Sequence, residues 1–209
     1  MSLSREEFLL RKCSCADVKA ILELQKTILD GLPDRELLRE NTEEMFVQCT
    51  KEPNLTLGLF ADGRLSALGI LVDATGTEED LGVGLVCHEV GKSANLKLIL
   101  VREECRGLGI QRTLMLLLEA CVISGGYTHL CSTVSGKNVH SLRNARAVGY
   151  EFDHEATKYG GLARGVYVKT IKACENPFAG CEQALEAIAQ GRELILNSKT
   201  RELKILRKE

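Results

Sequence analysis

Nowhere in the 209 residues does an apolar run approach the length that crosses a bilayer. A spanning helix needs about 20 consecutive apolar residues, so a transmembrane helix is excluded. The polar N-terminus, Met1-Ser-Leu-Ser-Arg-Glu-Glu, lacks the apolar core of a secretion signal. Charge of one sign is also missing. The 27 Lys+Arg against 29 Asp+Glu leave a formal net charge of −2, so no whole-protein field gathers nucleic acid or an anionic membrane. Basic residues do gather between Lys199 and Lys208, but Glu193, Glu202 and Glu209 dilute them, as on a solvated hairpin. The nine cysteines contain no Cys-x-x-Cys pair, and the four histidines show no metal-ligand spacing, so no metal is expected. Cys121 and Cys131 fall inside apolar periodic segments, as reduced cysteines acting as small hydrophobes do. A reducing, cytoplasmic setting is expected. Internal repeats and low-complexity tracts are absent as well.

What is present reads as an α/β chain of ordinary composition, 44% apolar and 27% charged. Phe8 to Lys12 is a first strand. Ser14 with Asp17 opens a helix whose apolar residues recur from Val18 to Leu29, ended by Gly31 and Pro33. A second helix is expected with Asn41 as its cap, running to about Lys51. The strands Leu55 to Phe60 and Leu65 to Val72 flank Asp62-Gly63, a tight hairpin turn. A long connection, Asp73 to Ser93, carries the acidic trio Glu78, Glu79 and Asp80. It leads to a strand, Asn95 to Val101, whose continuous apolar end suits the centre of a sheet. A helix with Leu114, Leu117, Leu118, Cys121 and Val122 on one face follows, then a strand, His129 to Val134. Asn138 to Val148 is helical, a strand starts at Tyr150, and the last core strand runs from Gly165 to Ile171. Beyond it, a helix from about Cys181 to Gln190 precedes a hairpin of Leu194 to Leu196 and Leu203 to Leu206. The order predicts a mixed sheet with a parallel crossover region, residues 1–171 forming one domain and 172–209 a helix–hairpin extension.

The segment Arg106-Gly107-Leu108-Gly109-Ile110-Gln111-Arg112 lies where the central strand gives way to a helix. The first turn of a helix leaves amides without intrahelical partners, and the helix dipole adds positive charge there. Gly107 and Gly109 withhold side chains, so a phosphate can approach the backbone, and Arg106 and Arg112 add full charges at the rim. The physics asks for an anion, most simply a diphosphate. Arg112 stands where a dinucleotide-binding Gly-x-Gly-x-x-Gly needs its third glycine, and no Gly-Lys-Ser/Thr is present. By themselves the glycines would equally serve a turn that packs a helix on a sheet.

The stretch Val101 to Leu117, with Arg106-x-x-Gly109 after a strand ending in valine, resembles the acyl-CoA motif of the GNAT superfamily of N-acetyltransferases. Gln111 replaces that motif's last Gly/Ala. Asn138-Val-His-Ser141, followed by Gly149-Tyr150, resembles the second element of the same superfamily. The resemblance covers about Phe8 to Ile171. It implies a mixed, largely antiparallel sheet with a splayed central parallel strand pair flanked by helices. It also implies binding of acetyl-CoA (coenzyme A), and acetyl or short-acyl transfer to a small-molecule or peptide amine by direct attack in a ternary complex. The implied coenzyme A contacts are Ile99, Leu100 and Val101 on the strand, the residues Arg106 to Arg112, and Asn138, Ser141 and Arg143 on the second element. In particular the pantetheine arm would pair with Ile99 and Val101, and the amide of Ile99 would donate to the thioester oxygen as negative charge develops there. The tyrosine that often supplies the leaving proton in that superfamily is replaced by Ala145, and no glutamate stands at the polar strand positions, Asn95 and Lys97. His88, Glu89 and Tyr159 are the substitutes considered for catalysis, although each also reads as an exposed loop residue or a packed tyrosine. His129 and His140 read as structural. The trio at Glu78 to Asp80 is either a lure for a cationic amine or a solvated loop. Two rivals follow from the same residues: a coenzyme A sensor or scaffold without catalysis, and an interaction module that pairs through the C-terminal hairpin. Proteins of this fold are often dimers, so a homodimer is a further expectation.

Overall fold

The computed structural model describes residues 4–86, 91–172, 176 and 178–206. Their strands form a nine-stranded mixed sheet, ordered β6-β7-β5-β4-β3-β2-β1-β8-β9. In chain order these are β1 (Glu7–Lys12), β2 (Leu55–Ala61), β3 (Arg64–Val72), β4 (Ser93–Val101), β5 (His129–Val134), β6 (Glu151–Lys158), β7 (Leu162–Thr170), β8 (Leu194–Asn197) and β9 (Leu203–Ile205). The helices are α1 (Val18–Asp30), α2 (Glu43–Cys49), α3 (Ile110–Val122), α4 (Val139–Ala147) and α5 (Glu182–Ala189). Every neighbouring pair is antiparallel except β4 and β5. The layout is the mixed sheet with one parallel pair that the sequence predicts.

The sheet separates two apolar layers. On one face Ile21, Leu24 and Ile28 of α1 and Phe46 of α2 pack with Leu68, Ile70, Leu98 and Leu100. On the other, Leu114, Leu117 and Leu118 of α3 meet Leu57, Leu59 and Leu96. Gly69 allows the close approach of α3, since a Cβ there would lie 2.9 Å from Leu118 Cδ1 and 3.2 Å from Ile99 Cδ1. The single apolar face expected for α3 is too narrow. Thr113, Met115, Leu116, Glu119 and Ala120 are buried too, because α4 and α5 close the helix's flanks.

Capping explains where the first helices start. Ser14 and Asp17 form the reciprocal capping box ahead of α1, with the Ser14 amide donating to Asp17 Oδ2 at 2.8 Å. The cap of α2 is Thr42, whose hydroxyl accepts from the Met45 amide at 3.3 Å, and not Asn41 as expected. Asn41 is buried and spent elsewhere. Its amide nitrogens, main-chain and side-chain, donate to Gln25 Oε1 at 2.9 and 3.0 Å, pinning the α1–α2 connection to α1. The β2–β3 turn has Asp62 and Gly63 both at positive φ, the tight hairpin that Asp-Gly favours.

The last two strands extend the same sheet. β8 pairs antiparallel with β1, placing Leu194 opposite Leu10 and Leu196 opposite Phe8, and β9 pairs with β8. Cys13, Cys49, Cys105 and Cys131 are free and buried. Burial pushes the thiols of Cys13 and Cys131 up to about 12 and that of Cys49 up to about 11, so they stay protonated as small apolar fillers. Among the described residues no helix is long and apolar enough to cross a membrane.

Candidate active site

β4 and β5 pair only over Ser93–Asn95 and His129–Cys131. Beyond that they part, and Ser132 Oγ donates to the Leu96 carbonyl at 2.9 Å at the point of separation. The register of β3 on β4 slips between Ile70 and Leu71, which leaves Lys97 as the extra residue of a bulge. After the bulge the ladder is regular. The Arg102 amide donates to the Ser66 carbonyl at 2.9 Å, and Val101 and Ile99 face Ala67 and Gly69. In an antiparallel ladder this alternation turns the N–H and C=O of Leu100 toward Leu68, and those of Ile99 and Val101 away from β3, into the split. Leu100 therefore leaves the set of expected contacts. Its backbone serves the β3 ladder and its side chain is buried in the α1–α2 layer.

At the end of β4, Arg102 is almost wholly buried and donates through Nε to the Leu65 carbonyl at 2.8 Å, fixing the start of the next turn. Gly107 and Gly109 both lie at positive φ, +81° and +75°, and Gly109 is the cap residue of α3 without any side-chain cap bond. A Cβ on Gly107 would meet nothing within 4 Å. The space beside Gly107 is thus open, as an anion cradle at the first turn of α3 would require, whereas a Cβ on Gly109 would lie 3.8 Å from the Ser198 carbonyl oxygen. Ile110 is buried, Leu108 is half-buried, and Arg106 is exposed. Two side chains turn elsewhere than expected. Gln111 bridges to α4, donating to Ser141 Oγ at 3.3 Å and accepting from Asn144 Nδ2 at 2.6 Å. Arg112 Nε donates to Asn144 Oδ1 at 2.8 Å, which ties its guanidinium to α4. Asn138 caps α4 by accepting from the Ser141 amide at 3.0 Å. Arg143 is exposed on α4.

The split opens into a cleft of ≈ 130 Å³ that runs through the sheet. Gln111, Asn138, Ser141 and Ala145 line it on the α3–α4 side, and Lys97 and Ile99 border the gap. Leu38, Arg39 and Asn41 of the α1–α2 connection line the other side, with Thr133, Tyr159 and Arg164. Tyr159 reaches the cleft from the β6–β7 turn. Its φ of +55° is rare for a bulky residue, and both ends of its ring are held. The Arg39 guanidinium stacks 4.5 Å from the ring centroid, and the hydroxyl is 2.8 Å from Thr133 Oγ1.

Other expectations resolve differently. Lys97 Nζ lies 2.7 Å from Glu79 Oε2, and this contact holds the Glu79 carboxyl below its ordinary range. Asn95 is a brace: Nδ2 donates to the Glu79 carbonyl at 2.6 Å and Oδ1 accepts from the Leu81 amide at 3.4 Å. Asp80 accepts from Ser93 Oγ at 2.9 Å and from the Gly82 amide at 2.8 Å. Two of the acidic trio are therefore committed to folding their own loop onto β4. His88 and Glu89 lie outside the described residues. Among the described residues no group of three His, Cys, Asp or Glu could hold a metal ion. Arg39 and Arg164 were not anticipated as site residues. Arg164 stood just before the last core strand expected from Gly165, and only the longer β7 (Leu162–Thr170) brings it into the sheet; Arg39 carried no signal.

Chains of known structure share this architecture. An N-acetyltransferase from Staphylococcus aureus Mu50 superposes with a TM-score of 0.58 at 14% identity, over 78% of this chain and 98% of its own. A PaiA N-acetyltransferase from Thermoplasma acidophilum, solved in complex with coenzyme A, gives 0.56 at 19% identity, over 78% and 98%. YncA of Salmonella typhimurium, a putative acetyltransferase solved with its cofactor acetyl-CoA, gives 0.59 at 14% identity, over 82% and 98%. The fold is that of the GNAT N-acetyltransferases. No family model matches the sequence, and no curated protein matches it either. This GNAT-fold chain is longer than these structural neighbours, each of which is covered almost completely.

Proposed function

We propose that the chain is an acyl-CoA-dependent N-acyltransferase, moving an acetyl or short acyl group to a primary amine in a ternary complex. The observation that carries this reading is a conjunction. Unpaired backbone at Ile99 and Val101 opens beside the uncapped amides of α3. In this reading the diphosphate rests on the amides from Gly107 to Gln111 with Arg106 at the rim, and the pantetheine arm pairs with Ile99 and Val101 as a short strand. Asn138 and Ser141 offer polar contacts along the cleft, and Arg112 and Arg143 contribute charge from farther out.

Coenzyme A brings the acyl group as an activated thioester. The neutral amine attacks its carbonyl carbon, forming an N–C bond as the C–S bond breaks. The sulfur leaves with the electron pair, and the proton shed by nitrogen is balanced by the one the thiolate gains. The Ile99 amide donates to the carbonyl oxygen as charge develops there. In this reading Tyr159, a cleft residue whose hydroxyl is 2.8 Å from Thr133 Oγ1, supplies the thiolate's proton. Nothing in the described lining is a carboxylate; Lys97 is answered by Glu79, but Arg39 and Arg164 are cations without an ion pair among the described residues. Positive surroundings and desolvation both disfavour an ammonium ion, so the cleft itself favours the nucleophilic form of the amine.

Calorimetry with acetyl-CoA tests donor binding, and thiol release across an amine panel tests turnover. The expected result is binding with turnover of at least one amine. Failure to bind acetyl-CoA sinks the reading. One observation favours a second reading, a coenzyme A sensor of the same fold: Ala145 leaves the usual tyrosine position empty of a hydroxyl. Tight binding without turnover of any amine would select it.

A further inference from the structure

The charge of the cleft bears on the acceptor. Arg164 is 6% exposed, and its guanidinium donates to two main-chain carbonyls, Ala163 at 2.9 Å and Glu36 at 2.7 Å. Neither it nor Arg39 has a carboxylate within salt-bridge distance among the described residues, and the Arg39 guanidinium carbon lies over the Tyr159 ring, 4.5 Å from its centroid. The nearest acidic groups are answered elsewhere. Asp34 and Glu36 meet Lys137 at 3.0 and 2.7 Å on the outer surface, and Glu79 meets Lys97. Two guanidiniums with spare N–H donors thus border the acceptor side, together with the hydroxyls of Thr133 and Tyr159. Buried cations are normally paired, and one without a carboxylate partner is stabilised by an anion that arrives with a ligand. The small volume of the cleft argues for a small molecule.

We infer that the acceptor is a small primary amine that also carries an anionic oxygen group, a carboxylate or phosphate, held by Arg39 and Arg164 while its amine faces the gap at Ile99. The inference rests on the acyltransferase reading and deepens it. It also sets aside one of the two readings of the acidic loop, a lure for a cationic amine, since two of those three acidic residues are engaged in the fold. The step transfers acetyl to nitrogen as above, and the anionic group takes no part in the bond changes.

The test uses the full chain with acetyl-CoA and matched acceptors: amino acids against their amides, aminoalkyl phosphates against the parent amino alcohols, and spermidine. The anionic member of each effective pair should show kcat/KM at least about tenfold above its neutral partner, as one charge-assisted bond implies. Arg39→Gln, at the half-buried position, should collapse that ratio through KM while leaving the acetyl-CoA Kd unchanged. Arg164→Gln should do the same. Arg39→Gln alone decides the matter if the buried variant fails to fold. Calorimetric titration of the same pairs into the acetyl-CoA complex reads the preference independently of turnover. Equal or better use of neutral amines or spermidine overturns the inference, and so does an unchanged ratio in Arg39→Gln. A preference for succinyl-CoA over acetyl-CoA that Arg39→Gln abolishes, with no acceptor preference, assigns the guanidiniums to the acyl group and also overturns it. Loss of acetyl-CoA binding, by contrast, is failure of the underlying reading.

Discussion

Gly109 holds φ at +75° on the last residue before α3, a conformation that costs an L residue roughly 1–2 kcal/mol. A Gly109→Val chain must either bear that strain or reorient the loop, and its methyls then stand beside the amides. The acetyl-CoA Kd is expected to rise at least about tenfold, which is 1.4 kcal/mol, with the far-ultraviolet spectrum unchanged. Calorimetry reads the change, and a Kd within twofold of the parent would remove the amides from the site. Tyr159 tests the chemistry instead of the binding. Tyr159→Phe keeps the ring under Arg39 and removes only the hydroxyl near Thr133, so kcat should fall about 100-fold, the low end for a proton donor. Acetyl-CoA affinity should hold, and an unaltered kcat would return Tyr159 to a packing role. The geometry of the glycine loop was legible because it is local: Gly107 and Gly109 both take the positive φ that their residue type permits. Arg39 and Arg164 were not, because they come together only when the α1–α2 connection crosses β7, more than a hundred residues further along the chain. The side-chain partners of Gln111 were hidden for the same reason. Its partners, Ser141 and Asn144, are on the next helix.

Among the elements, α1 shows how a short signal fixes a boundary. The box at Ser14 and Asp17 was readable from four adjacent residues, and the structure adds an outside partner, Arg11, whose Nη2 and Nη1 bond Asp17 Oδ1 and Oδ2 at 2.6 and 2.9 Å. That guanidinium, first among several donors, holds the Asp17 carboxyl below its ordinary range. A depressed carboxylate stabilises the fold above its unfolded value, near 4, and the contribution disappears as pH falls through the folded value. Asp17→Asn should therefore cost about 1 kcal/mol in urea unfolding at pH 7, as loss of a charge-assisted bond does, and much less near pH 2. A gap that does not narrow on acidification would detach the stabilisation from the carboxylate. The cap of α2 shows the opposite case. Asn41 and Thr42 are both good cap residues by type, and only Gln25, sixteen positions earlier, decides between them by occupying Asn41. The β4 bulge at Lys97 was equally invisible, since a register slip belongs to two strands and is written in neither.

For the molecule as a whole, the telling feature is the way the C-terminal hairpin closes one edge of the sheet. β1 begins six residues into the chain, and its outer side is paired by β8, nearly two hundred residues later. No local pattern could specify that partner, although the two apolar arms of the hairpin were readable. With β8 paired on both sides, among the described residues only β9 offers a free edge there, three residues long, which leaves little for an interaction module to use. Leu194, Ile195 and Leu196 are at most 5% exposed, and burying each such side chain is worth about 1.5–3 kcal/mol. The hairpin also reaches the site, for Ser198 accepts from Thr113 Oγ1 at 3.1 Å one turn into α3. Ending the chain at Lys172 should then remove roughly 5 kcal/mol or more, a large share of the 5–15 kcal/mol of a typical domain. It would also bare the β1 edge. The expected outcome is a chain that aggregates or melts more than about 10 °C lower, with acetyl-CoA binding lost alongside the fold. Thr113→Val separates the two effects, since it removes one hydrogen bond, worth about 1 kcal/mol, and keeps the strands. Its melting point should fall by only a few degrees, and a truncated chain as stable as the full one would show that the GNAT-like sheet stands without its C-terminal strands.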